Sequence, residues 1–212
     1  MDFLKNVKYF AQGSLRIEYY SNIIYTDPFR IDKDYSDADI IIITHPHFDH
    51  FSPEDISKVI KEDTMFIAPS GISDIMKDYE KDYQTDYIEA GDSVDTGYML
   101  FSAVPAYNVI KKDNHPKENG WIGCIFEFEE ATLYYTSDTE LIDEMHDIEA
   151  DIIFLPLGQT YTFESVEDAV QAVIRTNASV AVPIHYGLYE GSEADADKFE
   201  ELLKGQAEVV RL

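Results

Sequence analysis

The stretch Asp37-Ala-Asp-Ile-Ile-Ile-Ile-Thr44, followed by His45-Pro-His-Phe-Asp-His50, carries the strongest structural signal in this chain. Its uninterrupted β-branched run, with polar residues at its entrance and Pro46 just past its end, is typical of a buried parallel strand. After the loop, Ser52-Pro-Glu-Asp55 predicts a helix start, with serine as the N-cap and proline at the first helical position. The predicted order is therefore strand, loop and helix. Such a loop lies at the carboxyl end of a strand, where open α/β folds usually place their chemistry.

The loop itself is rich in side chains that bind transition metals. His45 and His47 are two residues apart, so on an extended backbone they point the same way, whereas Asp49 and His50 follow on a turning loop. Imidazole nitrogens and carboxylate oxygens bind zinc at about 2.0–2.2 Å. Two pairs of ligands this close can serve two neighbouring ions. A polar loop that merely contains histidines is the alternative, but three of the chain's six histidines fall within these six residues.

The loop is one of several motifs that point to a known family. His45-Pro-His-Phe-Asp-His50 resembles the HxHxDH signature of the metallo-β-lactamase superfamily. Three segments look most like the compact lactonase-like branch of that superfamily, which contains ascorbate-6-phosphate lactonase: Val104-Pro-Ala-Tyr-Asn108, His115-Pro-Lys117 and Leu155-Pro-Leu-Gly-Gln-Thr-Tyr161. The resemblance covers nearly the whole chain, because three further segments match family motifs in family order: Tyr25-Thr-Asp27-Pro28, Tyr135-Thr-Ser-Asp138-Thr139 and Val182-Pro-Ile-His185-Tyr-Gly187.

This resemblance implies a specific architecture. Periodicity alone indicates a mixed α/β protein, with strands and helices alternating in two halves of the chain. Two of the predicted helices lie near Ile72–Tyr79 and Leu141–Ile148, and a predicted strand near Asp86–Ala90 opens the second half. The family adds the αββα sandwich, in which two mixed β-sheets carry helices on their outer faces. Residues 1–212 are then expected to form a single metallo-β-lactamase-like hydrolase domain, and 212 residues suffice to bury a core without disulfides.

The resemblance also implies which residues hold the ions. Asp138 and His185 each follow an apolar, β-rich run, so we expect both at the same edge of a sheet. The alternatives are an N-cap of a helix beginning near Thr139 for Asp138, and a core-edge histidine for His185. By resemblance, the first ion would be held by His45 and His47, and the second by Asp49, His50 and His185, with Asp138 bridging the two.

Two positions depart from the family pattern. After Val104-Pro-Ala-Tyr107, where related sequences often carry a third histidine for the first ion, this chain has Asn108, whose amide oxygen is a poor zinc ligand. Either His115, the nearby histidine, completes the first site, or that site is histidine-poor and takes a weaker or different metal. We favour a position of His115 near the metals, as a ligand or as a substrate contact. Where relatives often carry an early histidine, this chain has Gln12, either a hydrogen-bonding partner of the site or an ordinary turn residue.

Composition narrows the setting of the protein. Forty-two acidic residues against 16 basic ones give a formal net charge of −26, which repels phosphate backbones, so a nucleic acid is not an expected partner. The single cysteine, Cys124, excludes an internal disulfide and indicates a reducing compartment. No secretory leader and no run of about eighteen apolar residues is recognisable. We therefore expect a cytoplasmic protein without a membrane span, and the sequence leaves its oligomeric state open.

The expected function is hydrolysis at a dinuclear centre. Metal coordination lowers the pKa of water to about 7, so a metal-bound hydroxide would cleave a small ester, lactone or phosphodiester. Zinc is the first expectation for both divalent ions, with manganese or iron as alternatives. Asp49 would orient the nucleophile as well as bind metal. A non-catalytic metal-binding or scaffold protein on the same fold is the competing interpretation.

The substrate is expected to be a small molecule. The loop from Asn108 to Gly120 could make it an anionic one, since Lys111, Lys112 and Lys117 lie there, although solvated loop lysines are the equal alternative. The proton donor to the leaving group stays open among four candidates, which are Tyr107, Tyr161, Tyr186 and His115.

Overall fold

The computed structural model describes residues 2–212, which fall into two compact units, the first ending at Glu89 and the second spanning Ala90–Leu212. Each unit contains one mixed β-sheet. In both sheets, strands that are neighbours in space are also neighbours in the sequence. In both, the earlier strands pair antiparallel and the later ones parallel.

The first unit is built around a six-stranded sheet. Strands β1 to β3 pair antiparallel, and β3 to β6 pair parallel. A 3-10 turn at Asp2–Asn6 precedes the sheet. The elements are β1 Val7–Tyr9, β2 Leu15–Tyr19, β3 Asn22–Thr26, β4 Ile40–Ile42, α1 Pro53–Val59, β5 Met65–Pro69, α2 Ser73–Met76 and β6 Thr85–Ile88.

The isoleucine run forms the buried parallel strand that its sequence predicts. Strand β4 lies between β3 and β5 and is parallel to both, and its side chains are buried. Helix α1 begins at Pro53, where the Ser52 hydroxyl accepts a hydrogen bond from the Asp55 N–H at 3.3 Å. The order of strand, loop and helix is thereby confirmed, and it fixes both ends of the loop that carries the histidines.

The second unit contains a seven-stranded sheet. Strands β7 to β10 pair antiparallel and β10 to β13 parallel. Short 3-10 turns lie at Lys117–Asn119 and Asp143–Asp147. The elements are β7 Ser93–Asp95, β8 Leu100–Pro105, β9 Ile122–Glu127, β10 Thr132–Tyr135, β11 Ile152–Pro156, α3 Val166–Arg175, β12 Val180–Ile184, α4 Glu193–Leu203 and β13 Glu208–Val209.

Helices α3 and α4 cover the core of the second unit. The buried faces of α3 and α4, represented by Val173 and Phe199, pack in one cluster with Ile153 of β11 and Ala181 of β12. Serine hydroxyls cap both helices at their starts, as at Ser165. The parallel strands β10, β11 and β12 therefore have one covered face, and their carboxyl ends meet at a single edge of the sheet.

Three local expectations from periodicity were wrong. The helix predicted over Leu141–Ile148 is only a 3-10 turn at Asp143–Asp147. The helix predicted over Ile72–Tyr79 is shorter and spans Ser73–Met76, and Tyr79 beyond its end packs on Phe66 of β5 at 5.0 Å between ring centroids. The strand predicted to open the second half, Asp86–Ala90, is β6 at Thr85–Ile88 and closes the first sheet beside β5. None of the helices within residues 2–212 has the length and apolarity that a membrane crossing requires.

Candidate metal centre

Three histidine rings lie together in the loop after β4. The ring centroid of His45 is 4.6 Å from that of His47 and 3.9 Å from that of His50. The backbone N–H groups of His50 and Phe51 both donate to the His47 carbonyl, at 2.9 and 2.8 Å. This tight turn brings His50 back beside His45, and both of these rings are buried.

The hydrogen bonds of the loop fix which ring nitrogen of His45 carries the proton. The Thr44 hydroxyl donates to Asp27 Oδ2 at 2.7 Å, because a carboxylate can only accept. The hydroxyl oxygen then accepts from His45 Nδ1 at 3.0 Å. Since a neutral imidazole carries one proton, Nε2 of His45 is the nitrogen with a lone pair for a metal.

The same carboxylate orients His50. Asp27 Oδ2 lies 2.8 Å from His50 Nδ1, and Asp27 Oδ1 accepts from the Thr44 N–H at 2.8 Å. Asp27, His45 and His50 place ligand atoms within 4.8 Å of one another. Because the carboxylate already accepts from Thr44 and His50, we interpret Asp27 as the group that orients the histidines. In the sequence, Asp27 is recognisable only as part of a motif, and its role in orienting the histidines is not predictable from that motif.

Gln12 is a hydrogen-bonding partner of the candidate site rather than an ordinary turn residue. Its side-chain amide donates to Asp49 Oδ2 at 3.1 Å, and both residues are buried. The backbone of Gln12 has a φ of 52°, in the left-handed region, which turns the chain between β1 and β2. The amide thus fixes the orientation of the Asp49 carboxylate.

In the second unit, Asp138 and His185 lie at the same edge of the sheet, as expected. They follow β10 and β12, and His185 Nε2 is 3.3 Å from Asp138 Oδ1. The alternative role of Asp138 as a helix N-cap is wrong, because the next helical turn begins only at Asp143 and follows Ile142. His185 has a φ of 58°, so the chain turns sharply at the end of β12.

Glu190 holds His185 from the other side of its ring. Glu190 Oε1 lies 3.0 Å from His185 Nδ1 and accepts from the Thr162 hydroxyl at 2.8 Å. Glu190 Oε2 accepts from the N–H groups of Thr160 and Tyr161, at 3.0 and 2.7 Å. Burial alone would raise the pKa of Glu190, but the bonds from His185 and from the Tyr161 N–H bring that pKa below its usual value.

A glycine makes room for this carboxylate. A Cβ built on Gly158 would overlap the carboxyl group of Glu190, so no larger residue fits at position 158 without moving Glu190. This pairing has no signature in the sequence, because Glu190 is an isolated acid and Gly158 an isolated glycine. Their spacing fits no metal-ligand or capping pattern.

Asn108 and His115 are linked through their backbones. The Asn108 N–H donates to the His115 carbonyl at 2.8 Å, and the Asn108 side-chain amide donates to the carbonyl of Tyr161 at 2.7 Å. His115 is buried and lies edge-on to Trp121, with ring centroids 4.4 Å apart. The two residues that the sequence proposed for the third ligand therefore lie side by side in the second unit.

A second buried glutamate fixes the loop after Asn108. The Glu140 carboxylate accepts hydrogen bonds from three consecutive backbone N–H groups, those of Val109 at 2.7 Å, Ile110 at 2.6 Å and Lys111 at 2.9 Å. Three such bonds to one buried charge hold the loop in one conformation.

Two of the three loop lysines have their charges compensated within the second unit. Lys111 Nζ donates to the Thr162 carbonyl at 2.6 Å and pairs with the Glu164 carboxylate. Lys117 Nζ lies 2.9 Å from Glu144 and 3.1 Å from the Tyr107 hydroxyl. These lysines thus give little support to an anionic substrate. The Tyr107 hydroxyl donates to Glu144 at 2.8 Å, and its pKa is raised mainly by burial.

The candidate ligands are divided between the units, and their chemistry fits a divalent transition metal. Imidazole nitrogens and carboxylate oxygens are the donors that zinc, manganese and iron accept in proteins. All of the candidate ligands except His47 are buried. Buried charged and polar groups need a partner, and a bound metal ion would provide one. His45, His47, Asp49 and His50 belong to the first unit, and His115, Asp138 and His185 to the second.

Comparisons with known proteins find relatives that match nearly the whole chain. A family model described as beta-lactamase superfamily domain matches residues 6–185. A UPF0173 metal-dependent hydrolase from Anoxybacillus flavithermus is 27% identical over 96% of this chain and 96% of its own length. One from Bacillus cereus is 27% identical over 93% of this chain and 92% of its own.

Solved structures show the same fold. A protein from Parabacteroides distasonis, described as a metal-dependent hydrolase, has a TM-score of 0.85 and 32% identity over 97% of this chain and 91% of its own. Igni18, a metallo hydrolase from Ignicoccus hospitalis, has a TM-score of 0.79 over 97% of this chain and 94% of its own, at 21% identity. The predicted fold class is confirmed: two mixed β-sheets with helices match the metallo-β-lactamase fold.

Proposed function

Since the chain belongs to the beta-lactamase superfamily domain family, we propose that it is a metal-dependent hydrolase that cleaves a small ester, lactone or phosphodiester at a dinuclear centre. One observation carries the proposal. His45, His50 and His185 each have Nδ1 beside a hydroxyl or carboxylate oxygen, which directs Nε2 to a metal. Metal-binding histidines in proteins have this arrangement, whereas surface histidines have no need of it.

The ligand assignment follows the family resemblance. We propose that both units form one hydrolase domain, which is supported by the family match across residues 6–185. Asp138 would bridge the two ions, and His115 would complete the first site. The first ion would thus be held by His45, His47 and His115, and the second by Asp49, His50 and His185.

The chemistry of the proposed centre is hydrolytic. Two bound divalent ions would lower the pKa of water to about 7 and polarise the scissile carbonyl or phosphoryl oxygen. Asp49, whose carboxylate Gln12 holds by one oxygen, would orient the attacking water. Zinc is the metal we propose first, with manganese and iron as alternatives. A small-molecule substrate and a cytoplasmic setting belong to the same proposal.

Metal analysis of single-histidine variants tests the ligand set. Protein loaded with zinc and desalted should retain about two equivalents of metal. His45→Ala and His185→Ala should each lose about one equivalent and nearly all turnover of an ester and lactone panel. His146→Ala is the matched control, because His146 is the one histidine outside the proposed set and is exposed. Equal metal loss in the control would refute the assignment.

The same measurement separates the alternatives that remain. His115→Ala should lose one bound ion, and unchanged metal content with collapsed turnover would instead make His115 a substrate contact. The non-catalytic interpretation predicts a different outcome, in which two ions bind and no member of the panel shows metal-dependent turnover.

A further inference from the structure

Five large apolar side chains of the second unit are exposed on three loops. Isolated exposed apolar residues are ordinary in proteins, but a group of them on neighbouring loops marks a binding surface. We call this group the apolar rim. Its members are Val109, 46% exposed, Ile110, 68%, Tyr161, 45%, Leu188, 38%, and Tyr189, 42%.

Hydrogen bonds through Tyr161 tie the three loops of the rim together. The Tyr161 carbonyl accepts from the Asn108 side chain at 2.7 Å, which brings the Val109 loop beside it. The Tyr161 N–H donates to Glu190 at 2.7 Å, and Glu190 directly follows Tyr189. Tyr161 therefore lies between the other two loops of the rim.

The rim adjoins a proposed metal ligand. Glu190, which anchors Tyr161, is also the group 3.0 Å from His185 Nδ1. Leu188 and Tyr189 follow His185 by three and four residues, in a turn closed by the bond from the Gly187 N–H to the Glu190 carbonyl at 2.9 Å. A molecule bound against the rim would therefore contact the turn that directly follows His185.

The rim is also ordered before any substrate binds. Glu140 accepts three backbone N–H groups of the Val109 loop, and Glu190 accepts two of the Tyr161 loop. Because these loops are already fixed, they lose little conformational entropy when a ligand binds. More of the free energy of the apolar contact is then available for binding affinity.

The charges around the rim disfavour an anion. The Lys111 and Lys117 ammonium groups are paired with the carboxylates of Glu164 and Glu144. The formal net charge of −26 repels anions at long range. Neither the pairing of these lysines nor the negative net charge disfavours an uncharged ligand.

We propose that the apolar rim binds an uncharged alkyl or aryl group of the substrate, so that the protein hydrolyses apolar esters or lactones. The inference rests on the proposed hydrolase function and adds the substrate class. Burial of each further methylene should raise kcat/KM about fourfold until the rim is covered.

A chain-length series tests the rim through kinetics. Zinc-loaded protein is assayed with p-nitrophenyl esters from acetate to octanoate, and kcat/KM should climb with each methylene. Ile110→Asn and Tyr161→Ser should flatten this dependence of kcat/KM on chain length. Ile174→Asn is the control, because Ile174 lies on α3 and is 43% exposed, close to the 45% of Tyr161, and it should leave the dependence unchanged. A dependence that is flat in the wild-type protein, or equally steep in the rim variants, overturns the proposal.

Binding without turnover separates this proposal from the hydrolase function. The affinity of 1-alkanols, measured by titration calorimetry, should rise with chain length in the wild-type protein and fall in Ile110→Asn. If alkanols bind in this way and no ester, lactone or phosphodiester is hydrolysed, the hydrolase function fails and the rim stands. If esters are hydrolysed without regard to chain length, the rim fails and the hydrolase stands. If neither occurs, both are refuted.

Discussion

The carboxylate of Glu190 lies 3.0 Å from Nδ1 of His185, on the side of the ring away from Asp138. The first unit repeats this relationship, with Asp27 2.8 Å from Nδ1 of His50. In each case a buried carboxylate fixes the orientation of the ring and makes Nε2 a stronger base. In each unit, a buried carboxylate of that unit thus lies beside Nδ1 and leaves Nε2 of the histidine for a metal.

Replacement of Glu190 should weaken metal binding. In Glu190→Gln, the new amide group would face the N–H groups of Thr160 and Tyr161, which now donate to the carboxylate. We expect the zinc affinity to fall about 10- to 100-fold, as is typical for loss of a group that orients a ligand. Competition against a chromogenic chelator measures this affinity. Glu129→Gln, at an exposed position, is the control and should bind zinc like the wild-type protein.

A methyl group at position 158 should produce the same defect without touching a charge. The Cβ of Gly158→Ala would overlap the Glu190 carboxyl group and push it from His185. We expect zinc affinity to fall by about tenfold or more. Gly97→Ala provides the comparison, because Gly97 has open space around it and a φ of 86°. That variant should lose stability in urea and keep its zinc affinity, and weaker zinc binding in it would contradict the steric explanation.

The hydrogen bond from Gln12 to Asp49 should affect turnover. Gln12→Asn keeps the amide and tolerates the left-handed backbone, but its side chain is one methylene too short to reach Asp49. We expect kcat to fall about tenfold on any ester that the protein hydrolyses. Gln171→Asn, exposed on α3, should leave kcat unchanged. Wild-type turnover in Gln12→Asn would show that Asp49 needs no such support.

Asp55 should stabilise the first unit in a pH-dependent manner. Burial opposes its ionisation, but Lys58 and the backbone N–H groups of Arg30 and Ile31 bind the carboxylate, and together they lower its pKa below 3.8. A lowered pKa in the folded state stabilises the protein above the unfolded-state pKa, and this stabilisation is lost as the pH falls through the folded-state pKa. Asp55→Asn should therefore cost about 2 kcal/mol at pH 7. Asp63→Asn, at an exposed position, should cost little.

Urea unfolding at several pH values tests this expectation. The difference between wild-type protein and Asp55→Asn should be the same at neutral and mildly acidic pH. It should shrink only below the ordinary aspartate pKa of about 4. A difference that grows on acidification would have the wrong sign for a lowered pKa.

Features with a periodic or motif signal could be predicted from the sequence. The run ending at Ile43 has the pattern of a buried strand, and Ser52 before Pro53 has the pattern of a helix start. Both are present as predicted. The edge shared by Asp138 and His185 could likewise be predicted, because each follows a β-rich run and parallel strands end together.

Features that depend on one tertiary contact could not be predicted. Glu140 and Glu190 are two acids among 42, and nothing in their neighbours shows which backbone N–H groups they will meet. The contacts of Glu140 and Thr139 also explain why Leu141–Ile148 does not form the predicted helix. Its carboxylate holds the Val109 loop, and Thr139 bonds to the Tyr107 carbonyl, so the segment enters Ile142 in an extended conformation.

The sequential order of the strands in both sheets has a consequence for how the chain folds during its synthesis. Strands that neighbour each other in the chain close only short loops, which favours rapid folding. The first sheet ends at Ile88, so a nascent chain can complete it while the second is still being synthesised. In the proposed ligand set, His185 comes last, after β12. The nascent chain would thus have no complete hydrolytic centre until His185 has left the ribosome.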